Sequence, residues 1–497
     1  MISIQQAKKE VHSSVQSALL IAEQANGSAA EVEGQLWKVL LEVGRALMTL
    51  FFAVRAGRPR PVYYEHESHS YELVGREETV IGTLFGRVDY GRPIGRLRAE
   101  PQAARDFPLD RELGLPGGFT QPVVVLVSKL CTMMAFGQAR RLFESVFGWV
   151  PSPRAVLRMV DATGSKAKPF LEQADLPKED GEVLVMEVDG KGAPAISSRE
   201  YARRTQKRTK RKGNRRQARR DRRRNNPRPR RAPGKKSKNA KMAAVGAIYT
   251  LKRDADGKLE GPINKRVYAT FESYRALFEW LHAEARRRGY GTEKFSKVLF
   301  LADGAEVLWR LKAEFFPDAD EALDWFHIVE KLWDAGKAIC RATRRQRREL
   351  EALVARHKKL LRGGKVSDII EELRAALAAT PLTGPGNKYR RKVLERVLNH
   401  FVANEPRMQY RRLRREDLPI SSGIIEGTVR HLVGMRLDGP GMRWGRDRAE
   451  AVLHLRCVLI NEQWQQFETF LAQQPAFRLA AQPAPTRTHD AKIKAAA

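Results

Sequence analysis

The stretch Val183-Leu184-Val185-Met186-Glu187-Val188-Asp189-Gly190 decides the fold, because a short apolar run here ends on an acid followed by glycine. The same design recurs at Val298-Leu299-Phe300-Leu301-Ala302-Asp303-Gly304. Continuous apolar runs of this length predict strands that are buried on both faces of a sheet. A carboxylate at the end of such a strand lies at the rim of the sheet, where ligands and metal ions bind. Two of them predict a shared metal site and a metal-dependent enzyme.

The elements that surround the two runs predict how the sheet is built. After the first run we expect, in order, a strand at 242–251, a turn at 254–257, a return strand at 264–270, a helix at 271–288, the second Asp-terminated strand, a helix at 305–316, a strand-like piece at 322–327 and a further helix. Three antiparallel strands followed by alternating helices and parallel strands is the element order of a ribonuclease H-like α/β fold. That fold carries acids at its first strand, at its fourth strand and on a late helix.

The rest of the chain divides into segments of different character. We predict an N-terminal helical segment (1–60), a small β-containing segment with a connector (61–120), a helix-turn-helix-like DNA-binding region (121–175), a catalytic domain (176–335 and 419–465), a basic loop within it (199–241), an all-helical insertion (336–418) and a disordered tail (482–497). The helix-turn-helix prediction rests on a helix at 136–147 followed by a basic one at 154–160. An ordinary helical hairpin fits that pattern equally well.

The charge of the chain indicates a polyanionic partner. The 497 residues carry a formal net charge of +33, and residues 199–241 hold 22 basic and 2 acidic side chains, or +20. Nucleic acid is the commonest partner of such a chain. We expect this loop to bind DNA phosphates, and a solvated loop that only aids solubility is the alternative. The predicted phosphate-binding residues in it are Arg203, Arg204, Arg215, Arg216, Arg219, Arg220, Arg222, Arg223 and Arg224.

Cysteine content and hydropathy argue against a secreted or membrane protein. The three cysteines, at positions 131, 340 and 457, are far apart and form no CxxC pair, so neither a disulfide framework nor a thiolate zinc site follows. The most apolar N-terminal stretch, 36–54, is interrupted by charged residues and predicts an amphipathic helix. No signal peptide is evident at Met1, and we expect a cytoplasmic protein.

The third candidate acid is Glu426, at the start of a predicted helix that opens with a serine cap. Ile425, Val429 and Leu432 recur at helical spacing and form its core-facing stripe, which Glu426 flanks. Glu426 could therefore lean toward the edge of the sheet. The alternative is a salt bridge with Arg430 one turn later, worth only about 0.3–0.5 kcal/mol. Spacing alone does not separate these two roles.

Four motifs, in this order, resemble bacterial insertion-sequence DDE transposases, and in particular the ISKra-type family. They are Val188-Asp189-Gly190-Lys191-Gly192, Ala302-Asp303-Gly304-Ala305, Asp324-Trp325-Phe326-His327 and Ser421-Ser422-Gly423-Ile424-Ile425-Glu426. The later segments at 435–436, 441–444 and 449–453 are similar to that family's closing segment, and the resemblance covers roughly 107–461. One departure concerns a zinc-ribbon-like segment that relatives often carry, because residues 87–106 contain no cysteine.

The resemblance implies an enzyme that cleaves transposon ends and transfers the freed 3′-OH into target DNA. Asp189, Asp303 and Glu426 would be its catalytic and metal-binding triad, with His327 of the Asp-x-x-His element beside them. Two Mg²⁺ (or Mn²⁺) ions suit such hard carboxylate ligands, with Asp189 bridging both ions. The implied partners are terminal inverted repeats, target DNA and further copies of the chain, as a homodimer or larger. The implied location is the bacterial nucleoid, with no membrane.

Further side chains near these motifs are predicted to contact DNA. Lys191 lies two residues beyond Asp189. It is predicted either to contact a DNA phosphate or only to neutralise the acidic rim of the sheet. Trp444, beside Arg443, stacks on a splayed base, or else it packs on the final helix. His327, judged without the resemblance, is more often a hydrogen-bonded core residue than a catalytic one.

Two other classes of protein compete with a transposase. A nuclease of the same fold, without strand transfer, would use the same metal site, so the sequence barely separates these two. A non-catalytic nucleic-acid-binding protein is favoured only if the acids are structural.

Overall fold

The computed structural model describes residues 3–24, 26–100, 102–197, 199–200, 202–203, 241–340, 347–439, 442–474, 477 and 479. The chain divides into two compact units, one of residues 1–166 and 465–497 and the other of residues 167–464. The disordered tail predicted at 482–497 lies outside the described residues, as do these arginines of the predicted basic loop: Arg204, Arg215, Arg216, Arg219, Arg220, Arg222, Arg223 and Arg224.

The first unit combines long helices with a small antiparallel sheet. Helices α1 (Ile4–Gln24) and α2 (Ala29–Gly57) come first, and the three strands are β1 (Tyr63–His66), β2 (His69–Thr83) and β3 (Gly86–Leu97). A capping box starts α2, because Ser28 and Glu31 each accept a hydrogen bond from the other's backbone N–H. Two helices thus lie within the predicted N-terminal helical segment, and three strands lie within the segment predicted to contain β-structure.

Four helices follow the small sheet. They are α3 (Pro108–Glu112), α4 (Gln121–Met133), α5 (Phe136–Phe147) and α6 (Pro153–Gln173). The helix predicted at 136–147 is confirmed, and Gly148 ends it in the left-handed conformation that glycine tolerates best. The next helix is longer than the predicted 154–160, because its apolar spacing continues to Gln173. It continues even though Pro169, which lacks a backbone N–H, lies inside it.

The second unit is built on a five-stranded mixed sheet. Its strands are β4 (Val183–Ala193), β6 (Lys241–Arg253), β7 (Leu259–Thr270), β8 (Lys297–Ala302) and β9 (Asp320–Leu323), in the spatial order β7-β6-β4-β8-β9. Pairing is antiparallel across β7, β6 and β4 and parallel across β4, β8 and β9. A minor two-stranded ladder pairs β5 (Ala195–Ile196) with β10 (Trp444–Gly445). Three antiparallel strands followed by parallel ones is the predicted arrangement.

Both faces of this sheet are buried, as the two apolar runs predicted. All side chains from Val183 to Val188 are buried, including the carboxylate of Glu187. On one face Val185 and Leu301 pack in a cluster that also contains Leu413. On the other face the ring of Phe300 packs against Phe278 of helix α7 (Tyr274–Arg288), with ring centroids 5.5 Å apart. A strand covered on both sides must be apolar throughout, so an acid within it needs a partner.

The remaining helices of the second unit follow the sheet strands in sequence. They are α8 (Glu306–Phe315), α9 (Trp325–Ile339), α10 (Arg347–Arg362), α11 (Val366–Ala378), α12 (Asn387–Asn404), α13 (Tyr410–Arg415), α14 (Gly423–Val429), α15 (Met435–Leu437), α16 (Arg446–Ile460) and α17 (Trp464–Ala472), the last of which ends in the first unit. A 3₁₀ turn (Glu405–Arg407) precedes α13, and a π-helical turn (Arg430–Gly434) follows α14.

The helices α10 to α13 lie within the predicted insertion and contact both helix α9, which precedes them, and strand β9. The Nε of Arg390 on α12 donates to the carbonyl of Ala338 on α9 at 2.6 Å. The hydroxyl of Tyr410 donates to the carbonyl of Leu323 at the end of β9, at 3.0 Å. The insertion therefore returns to the same edge of the sheet from which it leaves.

One predicted strand is wrong in its extent. The strand-like piece expected at 322–327 ends at Leu323, and Asp324 then starts helix α9. The reason is local capping: the Asp324 carboxylate accepts a hydrogen bond from the backbone N–H of His327, which favours helix over strand. Among the described residues no helix has both the length and the apolar composition needed to cross a membrane.

Candidate metal centre

The register of the three parallel strands aligns three aspartates at one end of the sheet. Val188 pairs with Ala302, and Ala302 pairs with Leu323. Asp189, Asp303 and Asp324 each come one residue after these partners. The carboxyl ends of parallel strands form the edge at which α/β sheets bind ligands. The alignment of the two apolar runs, together with β9, therefore produces a local concentration of carboxylates.

Asp189, Asp303 and His327 come together at this edge. One ligand atom from each of the three lies within 4.8 Å of the others, and all three residues are partly exposed. A backbone N–H that follows each aspartate orients its carboxylate: Gly190 N–H donates to Asp189 Oδ1 at 2.6 Å within strand β4, and Ala305 N–H donates to Asp303 Oδ1 at 2.9 Å in the turn after β8. Among the described residues, Oδ2 of each of these two carboxylates accepts no hydrogen bond, so it can contact a ligand.

The third aspartate, Asp324, is buried and holds the imidazole of His327 in place. Asp324 Oδ2 contacts His327 Nδ1 at 2.6 Å, and Asp324 Oδ1 accepts from the backbone N–H of Ser422 at 2.7 Å. Burial raises the pKa of Asp324, but the hydrogen bonds from His327 and Ser422 outweigh it, so that the net pKa lies below its usual value. Asp324 thus remains a carboxylate that fixes the tautomer and the orientation of the imidazole.

The charges in the centre are strongly coupled. The hydrogen bond to Asp324 raises the pKa of His327 to about 9, with further help from Asp189 and Asp303. Burial raises the pKa of Asp189, and the negative charge of Asp303 adds to that shift. Two half-buried carboxylates this close repel each other unless a positive charge lies between them. His327 supplies part of that charge in the metal-free chain.

The donor set fits a divalent cation. Two carboxylates and one imidazole with a carboxylate behind it are ligands that Mn²⁺ accepts, and the carboxylates alone suit Mg²⁺. His327 is arranged as metal-binding histidines usually are, with one ring nitrogen held by Asp324 and the other available. A bound cation would also remove the repulsion between Asp189 and Asp303.

Glu426 is not one of these three ligand residues. It lies on α14, its side chain is exposed, and the structure places it outside the group of atoms within 4.8 Å. It forms no ion pair with Arg430 among the described residues, so the alternative role predicted for it has no support either. The predicted stripe of Ile425, Val429 and Leu432 is buried as expected. The catalytic role of Glu426 stays a prediction.

Glu187 is a site residue that sequence reasoning missed. Its Oε1 accepts from the Tyr249 hydroxyl and its Oε2 from the backbone N–H of Ile425, both at 2.8 Å. Burial raises the pKa of Glu187 to about 7, although both hydrogen bonds oppose the shift. Through Ile425 it anchors the first turn of α14, the helix that carries Glu426. The signal in the sequence was a single acid inside an otherwise apolar strand.

Tyr274 was missed as well, and Gly190 explains its position. A Cβ at Gly190 would lie 2.3 Å from the Tyr274 hydroxyl, so only glycine allows this close approach. Burial raises the pKa of Tyr274 to about 12, and the charges of Asp303 and Asp189 add to it. The neutral hydroxyl therefore lies beside the two carboxylates. No pattern in the sequence connects the start of α7 with Gly190, which lies inside β4 because that strand continues to Ala193.

The residues predicted to contact DNA differ in how far they are exposed. Arg443 is exposed, and Arg203 is exposed and paired with Glu200 at 2.7 Å. Lys191 is partly buried, and a Cβ at Gly434 would lie 3.4 Å from its Cε. Trp444 is only 7% exposed, and its indole N–H donates to the carbonyl of Leu437 at 3.0 Å. That burial favours the packing alternative for Trp444.

No protein-family model matches the chain, and no curated protein matches it. Among solved structures, the chain is similar to one from the Drosophila P element transposase strand transfer complex, at 10% identity and a TM-score of 0.29. The match covers 71% of this chain and 96% of that one. A TM-score this low does not establish a common fold, so the sheet and the site carry the functional inference.

Proposed function

We propose that this protein is a DDE transposase of the insertion-sequence, ISKra-like type, with a ribonuclease H-like catalytic sheet. The observation that carries the proposal is the register of β4 and β8, which aligns Asp189 and Asp303 at the carboxyl edge of a five-stranded mixed sheet. Paired carboxylates that share a site at a sheet edge suit divalent metal ions and phosphoryl transfer. DNA is the proposed partner, since the chain carries a net charge of +33.

In the proposed reaction this chain's own residues hold and orient the reacting groups. Asp189 and Asp303 would hold two Mg²⁺ or Mn²⁺ ions together with Glu426, and those ions supply Lewis acidity at the scissile phosphate. His327, held by Asp324, would ligate an ion or donate to a phosphate oxygen. Water would hydrolyse the phosphodiester at the transposon end and free a 3′-OH. That 3′-OH would then attack a target phosphodiester and displace the 3′-oxygen of the target strand, so no covalent bond to the protein forms.

In the proposed site Glu426 would be the third acid, held by the first turn of α14. The first turn of α14 is held through the backbone N–H groups of Ser422 and Ile425, which bond to Asp324 and Glu187. Asp324 also holds His327, so both sides of the centre are tied to one buried network. Glu426 follows Ile425 directly and is exposed, which leaves its side chain able to turn toward metal or DNA.

A strand-transfer assay separates the proposal from its two competitors. The substrate is a duplex that ends in the DNA flanking the gene, with a free 3′-OH, and the target is a supercoiled plasmid. We expect joined products with Mg²⁺ or Mn²⁺, and none from Asp189→Asn or Asp303→Asn, which should still bind DNA. Nicked plasmid without joined products would indicate a nuclease. Binding without any cleavage, in both wild type and variants, would indicate a non-catalytic DNA-binding protein.

A further inference from the structure

A histidine from the helical insertion lies against the end of β8. His400 is on α12, and a Cβ built at Gly304 would lie 2.0 Å from its Cε1 and 2.9 Å from each ring nitrogen. Any residue larger than glycine after Asp303 would displace this ring. The second Asp-Gly pair thus resembles the first, since both glycines make room for a ring beside an aspartate.

Charged groups of the metal centre shift the pKa of His400. Burial lowers the pKa of His400, Lys331 lowers it further, and the charge of Asp303 opposes them. The charge of His327 also lowers the pKa of His400. Its helix is fixed in place by α9, on which His327 and Lys331 lie, through the Arg390–Ala338 hydrogen bond and an Arg396–Asp334 ion pair at 3.0 Å.

One ring nitrogen of His400 has no hydrogen-bond partner among the described residues. Its Nε2 is buried, and no donor or acceptor among the residues that the structure describes lies within hydrogen-bond distance of it. A buried polar atom without a partner costs about 1–3 kcal/mol, so such atoms usually serve a ligand or a bound water. The ring is not among the three ligand groups within 4.8 Å, which argues against direct coordination.

We propose that His400 is a positioning residue in the second coordination sphere of the metal centre, where its imidazole hydrogen-bonds a water molecule bound to the ion at Asp303. The inference rests on the proposed function, because it requires a metal ion at Asp303. It gives the helical insertion a direct role in the centre. Outer-sphere groups of this kind typically change metal affinity 10–100-fold when they are removed.

Mn²⁺ binding to the full-length protein, measured by electron paramagnetic resonance without DNA, tests the inference. His400→Phe keeps the ring volume without the nitrogens, and we expect its Mn²⁺ affinity to fall at least about 10-fold. His400→Gln keeps a hydrogen-bonding group and should stay within about 3-fold of wild type. Asn399→Ala, the exposed neighbour on the same helix, is the matched control and should bind as wild type does.

Thermal melts of each variant establish that it is folded. Equal Mn²⁺ affinity for His400→Phe and wild type, with affinity lost in Asp303→Asn, overturns the role of His400 and leaves the metal centre intact. Unchanged affinity in Asp303→Asn would overturn the metal centre and the inference with it.

Discussion

Asp324 and His327 show how one buried residue fixes the orientation and charge of another. The aspartate is fully buried, caps α9, and holds both the imidazole of His327 and the backbone of Ser422. A rigid carboxylate behind a histidine fixes which nitrogen faces the site and keeps the ring positively charged in the absence of metal. The Asp-x-x-His spacing follows from the geometry of a helix cap, since the third residue after the cap meets its side chain.

Asp324→Asn tests this coupling at the level of one residue. Asparagine still caps a helix, so we expect α9 to form. The pKa of His327 should fall from about 9 toward its ordinary value of 6.5, because the charged partner is gone. Titration of the histidine ring signals by NMR in metal-free protein measures it. An unchanged His327 pKa would show that Asp324 does not control the ring.

At the scale of elements, the buried acid in β4 connects the sheet to the helix that carries Glu426. Glu187 accepts one hydrogen bond from β6 and one from α14. Glu187→Ala leaves the Tyr249 hydroxyl and the Ile425 N–H unpaired, and we expect a loss of about 3 kcal/mol in the free energy of unfolding. Glu187→Gln keeps an acceptor and a donor and should lose far less. Denaturant unfolding of both variants and of wild type measures these losses in the free energy of unfolding.

The raised pKa of Glu187 predicts that the free energy of unfolding depends on pH. The folded pKa of Glu187 is about 7 and its ordinary value is 4.5, so the folded protein holds this proton more tightly than the unfolded chain does. Its contribution to stability is full below about pH 4.5 and is lost as the pH rises through 7. Glu187→Gln should flatten that part of the stability curve. Parallel curves for wild type and Glu187→Gln would contradict the assignment.

Elements with strong local signals were predictable from sequence, and contacts between distant elements were not. The runs before Asp189 and Asp303 predicted parallel neighbours because apolar strands of that length are buried on both faces. Asp324 was misplaced on a strand because its capping bond depends on local geometry that an apolar pattern does not reveal. Tyr274 and His400 approach the site only through packing of helices far along the chain, and the two glycines that admit them look like turn residues.

At the scale of the whole molecule, charge is the dominant feature. Residues 199–241 hold +20 of the +33 net charge, and they leave the sheet just after β4, whose Asp189 belongs to the centre. Most of this loop lies outside the described residues, so its contacts stay a prediction.

Deleting residues 203–238 should weaken DNA binding and flatten its salt dependence, because each phosphate contact contributes about 0.9 to the slope of log K against log salt. A variant with the loop's Lys and Arg replaced by Gln keeps the length and should show the same flattening. Fluorescence anisotropy over a range of salt concentrations measures the slope. A slope equal to that of wild type would exclude the loop as a phosphate-binding element.

The metal preference of Asp303→Cys tests the central claim, that the aligned aspartates hold the ion used for DNA cleavage. A thiolate binds Mg²⁺ poorly and accepts softer ions, so cleavage of end-bearing DNA should be lost with Mg²⁺ and partly restored with Mn²⁺. Asp334→Cys, on α9 and paired with Arg396, is the control and should keep its Mg²⁺ activity. Wild-type activity of Asp303→Cys with Mg²⁺, or an equal loss with both ions, would contradict the account.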